Sequence, residues 1–140
     1  MFLLDTNVVS ELRRVAAGRG DPAVAAWARG IPAGRSFVSA ITVGELELGV
    51  LLMERRDPDA GHLLRQWIDA AVHRDFAEHV IPVDATVARI AAAFHVPDPA
   101  PLNDALIAAC ALANRMTVVT RNAADFERFE GLEVVNPWMS

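Results

Sequence analysis

The stretch Phe2-Leu-Leu-Asp-Thr-Asn-Val8 changes from apolar to polar at Asp5. Its three leading apolar residues are typical of a short strand that is covered on both faces. The helical spacing of apolar residues begins directly afterwards, at Thr6, so Asp5 stands where a strand becomes a helix. In a parallel sheet, ligands bind beyond the carboxyl ends of the strands, which makes Asp5 a candidate functional residue.

The same alternation of strand and helix continues along the chain. Short β-prone runs occur at residues 2–4, 36–39, 80–83, 117–120 and 133–135. Between them, apolar residues recur at helical spacing in the segments 6–15, 23–29, 42–54, 60–79, 85–94 and 102–115. This pattern predicts an α/β fold with a central parallel sheet of about four to five strands flanked by helices. A length of 140 residues fits one domain, which we expect to span residues 1–140.

Three further acids have a placement similar to that of Asp5. Glu45 lies one turn inside the helix after the second strand, Asp104 lies in the first turn of a later helix, and Asp125 lies just past the fourth strand. Carboxylates gathered at one edge of a sheet repel by about 4 kcal/mol per pair at about 4 Å and an effective dielectric of about 20, unless a cation lies among them. Oxygen-only sites suit Mg²⁺ or Mn²⁺, so the sequence predicts such an ion among the four acids.

Each acid also has an ordinary structural explanation. Asp5 can cap the helix that begins at Thr6, and Asp104 can complement the dipole of its own helix. Thr42-Val-Gly-Glu45 has the form of a capping box, in which the glutamate hydrogen-bonds back to the start of its helix. Helix capping and metal binding therefore remain alternative interpretations, although four caps would not require such similar placement relative to the sheet.

The composition excludes several classes of protein. All 13 basic residues are arginine, so mechanisms that need a lysine, such as those of a P-loop or a Schiff base, are excluded. The net charge of -5 argues against binding of nucleic acid through a broad basic face. The single cysteine, Cys110, cannot form an internal disulfide, and neither a signal-peptide pattern nor an apolar stretch of about 20 residues is found. We therefore expect a cytoplasmic protein without a membrane segment.

Five motifs, taken in order, resemble those of a known family. They are Leu4-Asp-Thr-Asn-Val8, Ser39-Ala-Ile-Thr-Val-Gly-Glu-Leu46, Leu102-Asn-Asp-Ala-Leu-Ile-Ala-Ala109, Val119-Thr-Arg-Asn122 with Asp125-Phe126, and Gly131-Leu-Glu-Val-Val-Asn-Pro-Trp138. With this ordered set, the chain resembles PIN-domain ribonucleases, and within them the VapC-type toxins of type II toxin–antitoxin pairs. The resemblance covers essentially the whole chain.

The resemblance implies a metal-dependent endoribonuclease that hydrolyses RNA phosphodiester bonds with a metal-activated water, using Mg²⁺ or Mn²⁺. It implies that Asp5, Glu45 and Asp104 belong to the catalytic, metal-binding acidic set of the family. The fourth position of that set is open between Asp125 and Asn122, because some relatives have an aspartate directly after Thr-Arg. The residues that the resemblance implies as orienting groups behind the acids are Thr6, Asn7 and Thr120.

The resemblance also implies partners: an RNA substrate, a cognate VapB-like antitoxin and a second copy of the chain in a homodimer. A hydrophobic fraction of 53% and a mean hydropathy of +0.25 agree with this, because they suggest more apolar surface than one small core can cover. We expect that surface on residues 47–53 and the adjoining helices. The arginines that we expect to contact RNA phosphates are Arg121, Arg55, Arg56 and Arg65.

Two other functions are compatible with an aspartate after the first strand. An aspartyl-phosphate phosphatase needs a second aspartate two residues on, where this chain has Asn7, and normally a lysine, which this chain lacks. A catalytically degenerate PIN fold would bind RNA or a protein partner without cleavage, and such a fold is expected to have lost acids that this chain retains.

Overall fold

The computed structural model describes residues 1–139, which alternate between strands and helices. The strands are β1 (Phe2–Leu4), β2 (Ser36–Ser39), β3 (Val80–Ile81), β4 (Thr117–Val119) and β5 (Val134–Val135). The α-helices are α1 (Thr6–Ala16), α2 (Pro22–Arg29), α3 (Ala40–Arg56), α4 (Pro58–Trp67), α5 (Ala85–Ala93), α6 (Leu102–Ala113) and α7 (Ala123–Phe126). A π-helical segment, Ile68–Arg74, continues α4, and a 3₁₀ turn, Pro137–Met139, follows β5. None of the helices in residues 1–139 is long and apolar enough to cross a membrane.

The strands of the described residues form one parallel sheet in the order β3-β2-β1-β4-β5, which confirms the predicted α/β fold. β1 lies at the centre, where Leu3 pairs with Phe37 of β2 and with Val118 of β4. One layer of buried side chains lies against α5 and α6, and a second lies against α1 and α3. The carboxyl ends of β1, β2 and β4 consequently meet at one edge, where the loops and helices that follow them converge.

Helix α4 differs from the helix that the spacing predicts over residues 60–79. It begins at Pro58, where the Asp57 side chain accepts a hydrogen bond from the Ala60 N–H at 3.2 Å, and its regular α geometry ends at Trp67. The π-helical segment then ends at Arg74. Phe76 still packs against the core at helical spacing from Val72, which explains why the apolar pattern continues past the last helical residue.

Helix α3 begins earlier than the sequence predicts. Its N-cap is Ser39, a fully buried residue whose Oγ accepts a hydrogen bond from the backbone N–H of Thr42 at 3.1 Å. Thr42 therefore lies inside the helix and does not cap it. The capping-box interpretation of Glu45 is wrong for this reason, because the glutamate lies in the second turn, beyond reach of the helix start.

Helices α3 and α4 approach each other closely at Gly61. A Cβ at this position would collide with the backbone of Glu54, so only glycine permits this approach. The contact brings Arg65 of α4 beside Glu47 and Glu54 of α3.

Candidate active site

The crevice beyond the carboxyl ends of β1, β2 and β4 is built around Asp5, which is only 7% exposed. One oxygen, Oδ1, accepts a hydrogen bond from the Thr6 N–H at 2.8 Å, so Asp5 does cap α1. The other oxygen, Oδ2, accepts hydrogen bonds from Thr120 Oγ1 at 2.8 Å and Asn7 Nδ2 at 3.3 Å. Capping and a place in the crevice are therefore compatible, and three donors fix the orientation of this carboxylate.

The protonation of Asp5 reflects two opposing influences. Burial raises the pKa of its carboxyl above the ordinary value, and the nearby charge of Glu45 raises it further. The hydrogen bonds from Thr120, Thr6 and Asn7 lower the pKa, but burial dominates. A carboxylate in this position is held in place at an electrostatic cost, which a cation would remove.

Glu45 reaches the same crevice from the second turn of α3. Its Oε1 accepts a hydrogen bond from Thr6 Oγ1 at 2.7 Å, and its Oε2 accepts one from Asn103 Nδ2 at 3.4 Å. The Thr6 hydroxyl also lies 3.2 Å from Thr42 Oγ1. Thr6 thus links the two acids, because its backbone binds Asp5 while its side chain binds Glu45.

Asp104 is the acid with the fewest partners. It occupies the third residue of α6, is half-buried, and accepts no side-chain hydrogen bond from the described residues. Burial raises the pKa of its carboxyl above the ordinary value, followed by the charges of Asp5, Asp125 and Glu45. The other three acids therefore lie near enough to Asp104 for their charges to act on it.

Two residues are candidates for the fourth ligand position, and they lie three residues apart at the start of α7. Asn122 precedes α7, and its backbone N–H donates to Thr120 Oγ1 at 3.1 Å. Its backbone oxygen accepts a hydrogen bond from the Asp125 N–H at 3.0 Å. Asp125 is exposed on α7 and contributes to the raised pKa of Asp104. The assignment of the fourth ligand to Asp125 or to Asn122 stays a prediction.

The donor set of the crevice fits a hard divalent cation. It offers carboxylate, hydroxyl and amide oxygens, which are the ligands of Mg²⁺ and Mn²⁺. Within residues 1–139, no three His, Cys, Asp or Glu side chains lie close enough together to chelate one ion directly. Mg²⁺ usually keeps several of its waters and uses only one or two protein carboxylates, so acids spaced around the crevice suit it.

The four arginines expected to contact RNA lie in different places. Arg121 borders the crevice, because its backbone N–H donates to Asn7 Oδ1 at 3.1 Å. Arg55 and Arg56 end α3, which puts Arg55 roughly 15 Å along the helix axis from Glu45. Arg65 is already engaged: it donates to Glu47 Oε1 and Oε2 at 2.7 Å each and to Glu54 Oε1 at 3.3 Å.

Three residues near the site are given no part in it by the sequence analysis, which considers Thr42 only as a helix cap. Asn103 and Thr42 contact the network that holds Glu45, and Trp138 lies 5.2 Å from the Arg121 guanidinium, measured to the ring centroid. Asn103 could have been proposed from its place beside Asp104. The contact of Trp138 with Arg121 joins the segments that follow the neighbouring strands β4 and β5, and it has no signal in local sequence.

Comparison with known proteins gives one family. A model described as "PIN domain" matches residues 2–132. Ribonuclease VapC14 of Mycobacterium tuberculosis is 51% identical over 75 residues, which cover 54% of this chain and 70% of the relative. Toxin FitB of Neisseria gonorrhoeae is 34% identical over 144 residues, or 99% of each chain. The crystal structure of FitAcB from the same organism matches with a TM-score of 0.88 and 32% identity, covering 100% of both chains.

Proposed function

The chain belongs to the PIN-domain family, among its VapC-type toxins, and from this premise we propose that it is a metal-dependent endoribonuclease that cleaves RNA. The observation that carries the proposal is the group of Asp5, Glu45, Asp104 and Asp125. Burial, and then the charges of the other three acids, raise the pKa of the Asp104 carboxyl, and no cationic side chain of residues 1–139 forms an ion pair with any of the four. An unneutralised group of acids at the ligand-binding edge of a parallel sheet is suited to a divalent cation.

The residues that would hold Mg²⁺ or Mn²⁺ are Asp5, Glu45 and Asp104, with Asp125 or Asn122 at the fourth position. When bound, such an ion supplies an activated water and neutralises charge that develops on phosphate oxygens. Thr6 keeps Asp5 and Glu45 at a fixed separation, because it hydrogen-bonds to both. The Asp104 carboxylate accepts no hydrogen bond from the described residues, so it is available to orient a water.

We propose that an antitoxin controls this activity from an adjoining groove. The groove lies between α1, α3 and α4, has a volume of about 450 Å³, and is lined by Leu46, Leu64, Trp67 and Ile68. It reaches the crevice at Thr6 and Glu45. An amphipathic segment can place its apolar side chains in such a groove. A basic residue of that segment would then meet the acids and block the crevice.

A second copy of the chain is proposed to cover the exposed leucines of α3 and α4. Leu48, Leu51, Leu52 and Leu63 are 53–61% exposed. The first three lie on one face of α3 at helical spacing, and together the four form an apolar patch of the kind that marks interfaces. Leu52→Glu is expected to convert a dimer to a monomer in light scattering, whereas the polar variant Arg74→Gln on the π-helical segment should not.

Cleavage and its metal dependence are tested together with purified protein. Short single-stranded RNAs and total cytoplasmic RNA are incubated with the protein in Mg²⁺, in Mn²⁺ and in EDTA, and the new RNA ends are sequenced. We expect discrete ends in either metal, none in EDTA and none with Asp104→Asn. Glu78→Gln removes an exposed acid outside the crevice and should cleave like the wild type. Binding of RNA without new ends in any metal would instead support a catalytically degenerate PIN fold.

A further inference from the structure

A second depression lies beside the crevice and shares Ser10, Arg14 and Arg19 with the proposed antitoxin groove. It has a volume of about 660 Å³, within the roughly 300–1,000 Å³ of small-ligand pockets. Its lining includes Asn7, Ser10, Arg14, Arg19, Arg121 and Trp138, and we call it the Arg–Trp trough. Asn7, Ser10 and Arg14 lie on one face of α1 at helical spacing, so this wall begins at the crevice and runs away from it.

The trough is attached to the crevice through one side chain, Asn7. Its Nδ2 donates to Asp5 Oδ2 at 3.3 Å and to Thr120 Oγ1 at 3.3 Å, while its Oδ1 accepts from the Arg121 N–H at 3.1 Å. All of these atoms are used within the protein. Asn7 therefore fixes the position of the Arg121 loop relative to the central acid.

Another part of the lining is an aromatic ring with a guanidinium over it. The Arg121 Cζ lies 5.2 Å from the centroid of the half-buried Trp138 ring. Two hydrogen bonds hold the pair in place: Asn136 Nδ2 donates to the Arg121 carbonyl at 3.1 Å, and the Trp138 N–H donates to Asn136 Oδ1 at 3.0 Å. A fixed aromatic face next to a guanidinium is the kind of platform on which bases of a single strand stack.

The charge of the trough has the sign that a phosphate backbone requires. Three guanidinium groups line it against two carboxylates, Glu11 and Asp21, in a chain whose net charge is -5. Both carboxylates have protein partners: Glu11 pairs with Arg14 at 3.3 Å, and Asp21 caps α2 by accepting from the Ala23 N–H at 2.8 Å. The guanidinium of Arg19 has no partner among the described residues and remains available for a phosphate.

We propose that the Arg–Trp trough holds the RNA strand next to the cleaved phosphodiester. In this arrangement, a base stacks on Trp138 and Arg121, and the neighbouring phosphates contact Arg19 and Nη1 of Arg14. The other two guanidinium nitrogens of Arg14 are engaged, because Nε pairs with Glu11 and Nη2 donates to the Arg19 carbonyl at 3.4 Å. The inference rests on the proposed ribonuclease function and adds the determinants of substrate binding. Because stacking tolerates every base, the trough fixes the position of the strand and contributes little to the choice of sequence.

The test separates binding from cleavage by using Asp104→Asn as the parent protein. A fluorescent single-stranded RNA is titrated in Mg²⁺, and its affinity is measured by anisotropy. Trp138→Leu keeps an apolar side chain but removes the ring, and it should weaken binding by about 5- to 150-fold. Trp138→Phe keeps a stacking face and should restore most of the affinity. Thermal melting of each variant verifies that it is folded.

Two further measurements identify the contacts. In a series of RNAs with one abasic nucleotide moved along the strand, affinity should fall at one position for the parent and at none for Trp138→Leu. Arg19→Ala should lower the slope of log affinity against log salt by about 1, whereas Arg74→Ala, which does not line the trough, should leave the slope unchanged.

Unchanged affinity and an unchanged abasic profile in folded Trp138→Leu would overturn the inference. The same result combined with weaker binding of the antitoxin would overturn it in favour of a protein ligand. The proposed function is judged separately: a wild-type protein that cuts RNA in Mg²⁺ or Mn²⁺ supports it even if these variants bind normally. A wild-type protein that never cuts RNA would contradict the function whatever occupies the trough.

Discussion

Glu45 and Glu47 lie two residues apart on α3, and their carboxylates have opposite surroundings. Glu47 faces α4, where Arg65 donates two hydrogen bonds of 2.7 Å to it and thereby lowers the pKa of its carboxyl. Glu45 faces the crevice, where its partners are a hydroxyl and an amide, with no net charge. Helix α3 therefore carries a neutralised acid on the face toward α4, which we call its outer face. It carries an unneutralised acid on the face toward the crevice, which we call its inner face.

This difference separates an acid that stabilises the fold from acids that we propose to bind a metal ion. The chain has 13 arginines, so cations for the crevice are not lacking. Repulsion among the crevice carboxylates is expected to reduce stability in the absence of a cation, a trade that functional sites commonly show. The outer face carries no such penalty, because Arg65 lies between Glu47 and Glu54.

The largest expected difference between the two faces concerns catalysis. Glu45→Gln keeps the shape of the side chain and can still accept from Thr6, but it removes the negative charge. We expect single-turnover RNA cleavage in Mg²⁺ to fall by roughly 100-fold or more, because charge stabilisation by a bound metal is worth several kcal/mol. Glu47→Gln is the matched control and should cleave at nearly the wild-type rate. Equal rates for both variants would remove the distinction between the two faces.

A smaller effect is expected on stability without metal. Asp104→Asn removes a charge that Asp5, Asp125 and Glu45 repel. After allowance for solvent screening, we expect its free energy of unfolding in EDTA to exceed that of the wild type by about 0.5–1 kcal/mol. Added Mg²⁺ should raise the melting temperature of the wild type more than that of the variant. A variant less stable than the wild type in EDTA would show that repulsion is not the dominant influence.

The smallest expected effect concerns the ion pair of Arg65 with Glu47 on the outer face, whose contribution to stability depends on pH. Because Arg65 lowers the pKa of Glu47 in the folded protein, the pair contributes stability that is fully present above the ordinary pKa of 4.5. That contribution is lost as the pH falls through the folded pKa. Arg65→Met should therefore have a lower melting temperature than the wild type at neutral pH, and the gap should narrow in acid. A gap that is independent of pH would mean that Arg65 stabilises through packing alone.

The sheet and the acids near it could be predicted because their signals are local. The apolar run before Asp5 and the alternation of strand with helix give the parallel sheet, and the rule for parallel sheets then gives the edge where acids meet. The first residue of a helix is harder to predict from sequence. Ser39 and Thr42 are both good caps, and the choice between them depends on burial of Ser39 against the rest of the chain, which no local pattern contains.

Contacts between distant residues account for what the sequence did not reveal. Arg65 and Arg121 have the same local appearance, as arginines near acids. Only the close approach at Gly61 brings Arg65 to Glu47, and only the return of the chain after β5 brings Trp138 to Arg121. Side-chain roles that depend on such pairings follow from the assembled fold.

The central position of β1 has a consequence for the timing of synthesis. Parallel strands cannot pair through a tight turn, so β1 stays without its β4 neighbour until residues 117–119 have been made. Thr120, which donates to Asp5, follows it by 115 residues. At translation rates of about 5–20 residues per second, that interval lasts about 6–23 s. Throughout this time Asp5 lacks the hydrogen bond from Thr120, so the proposed metal site of the nascent chain is not yet assembled.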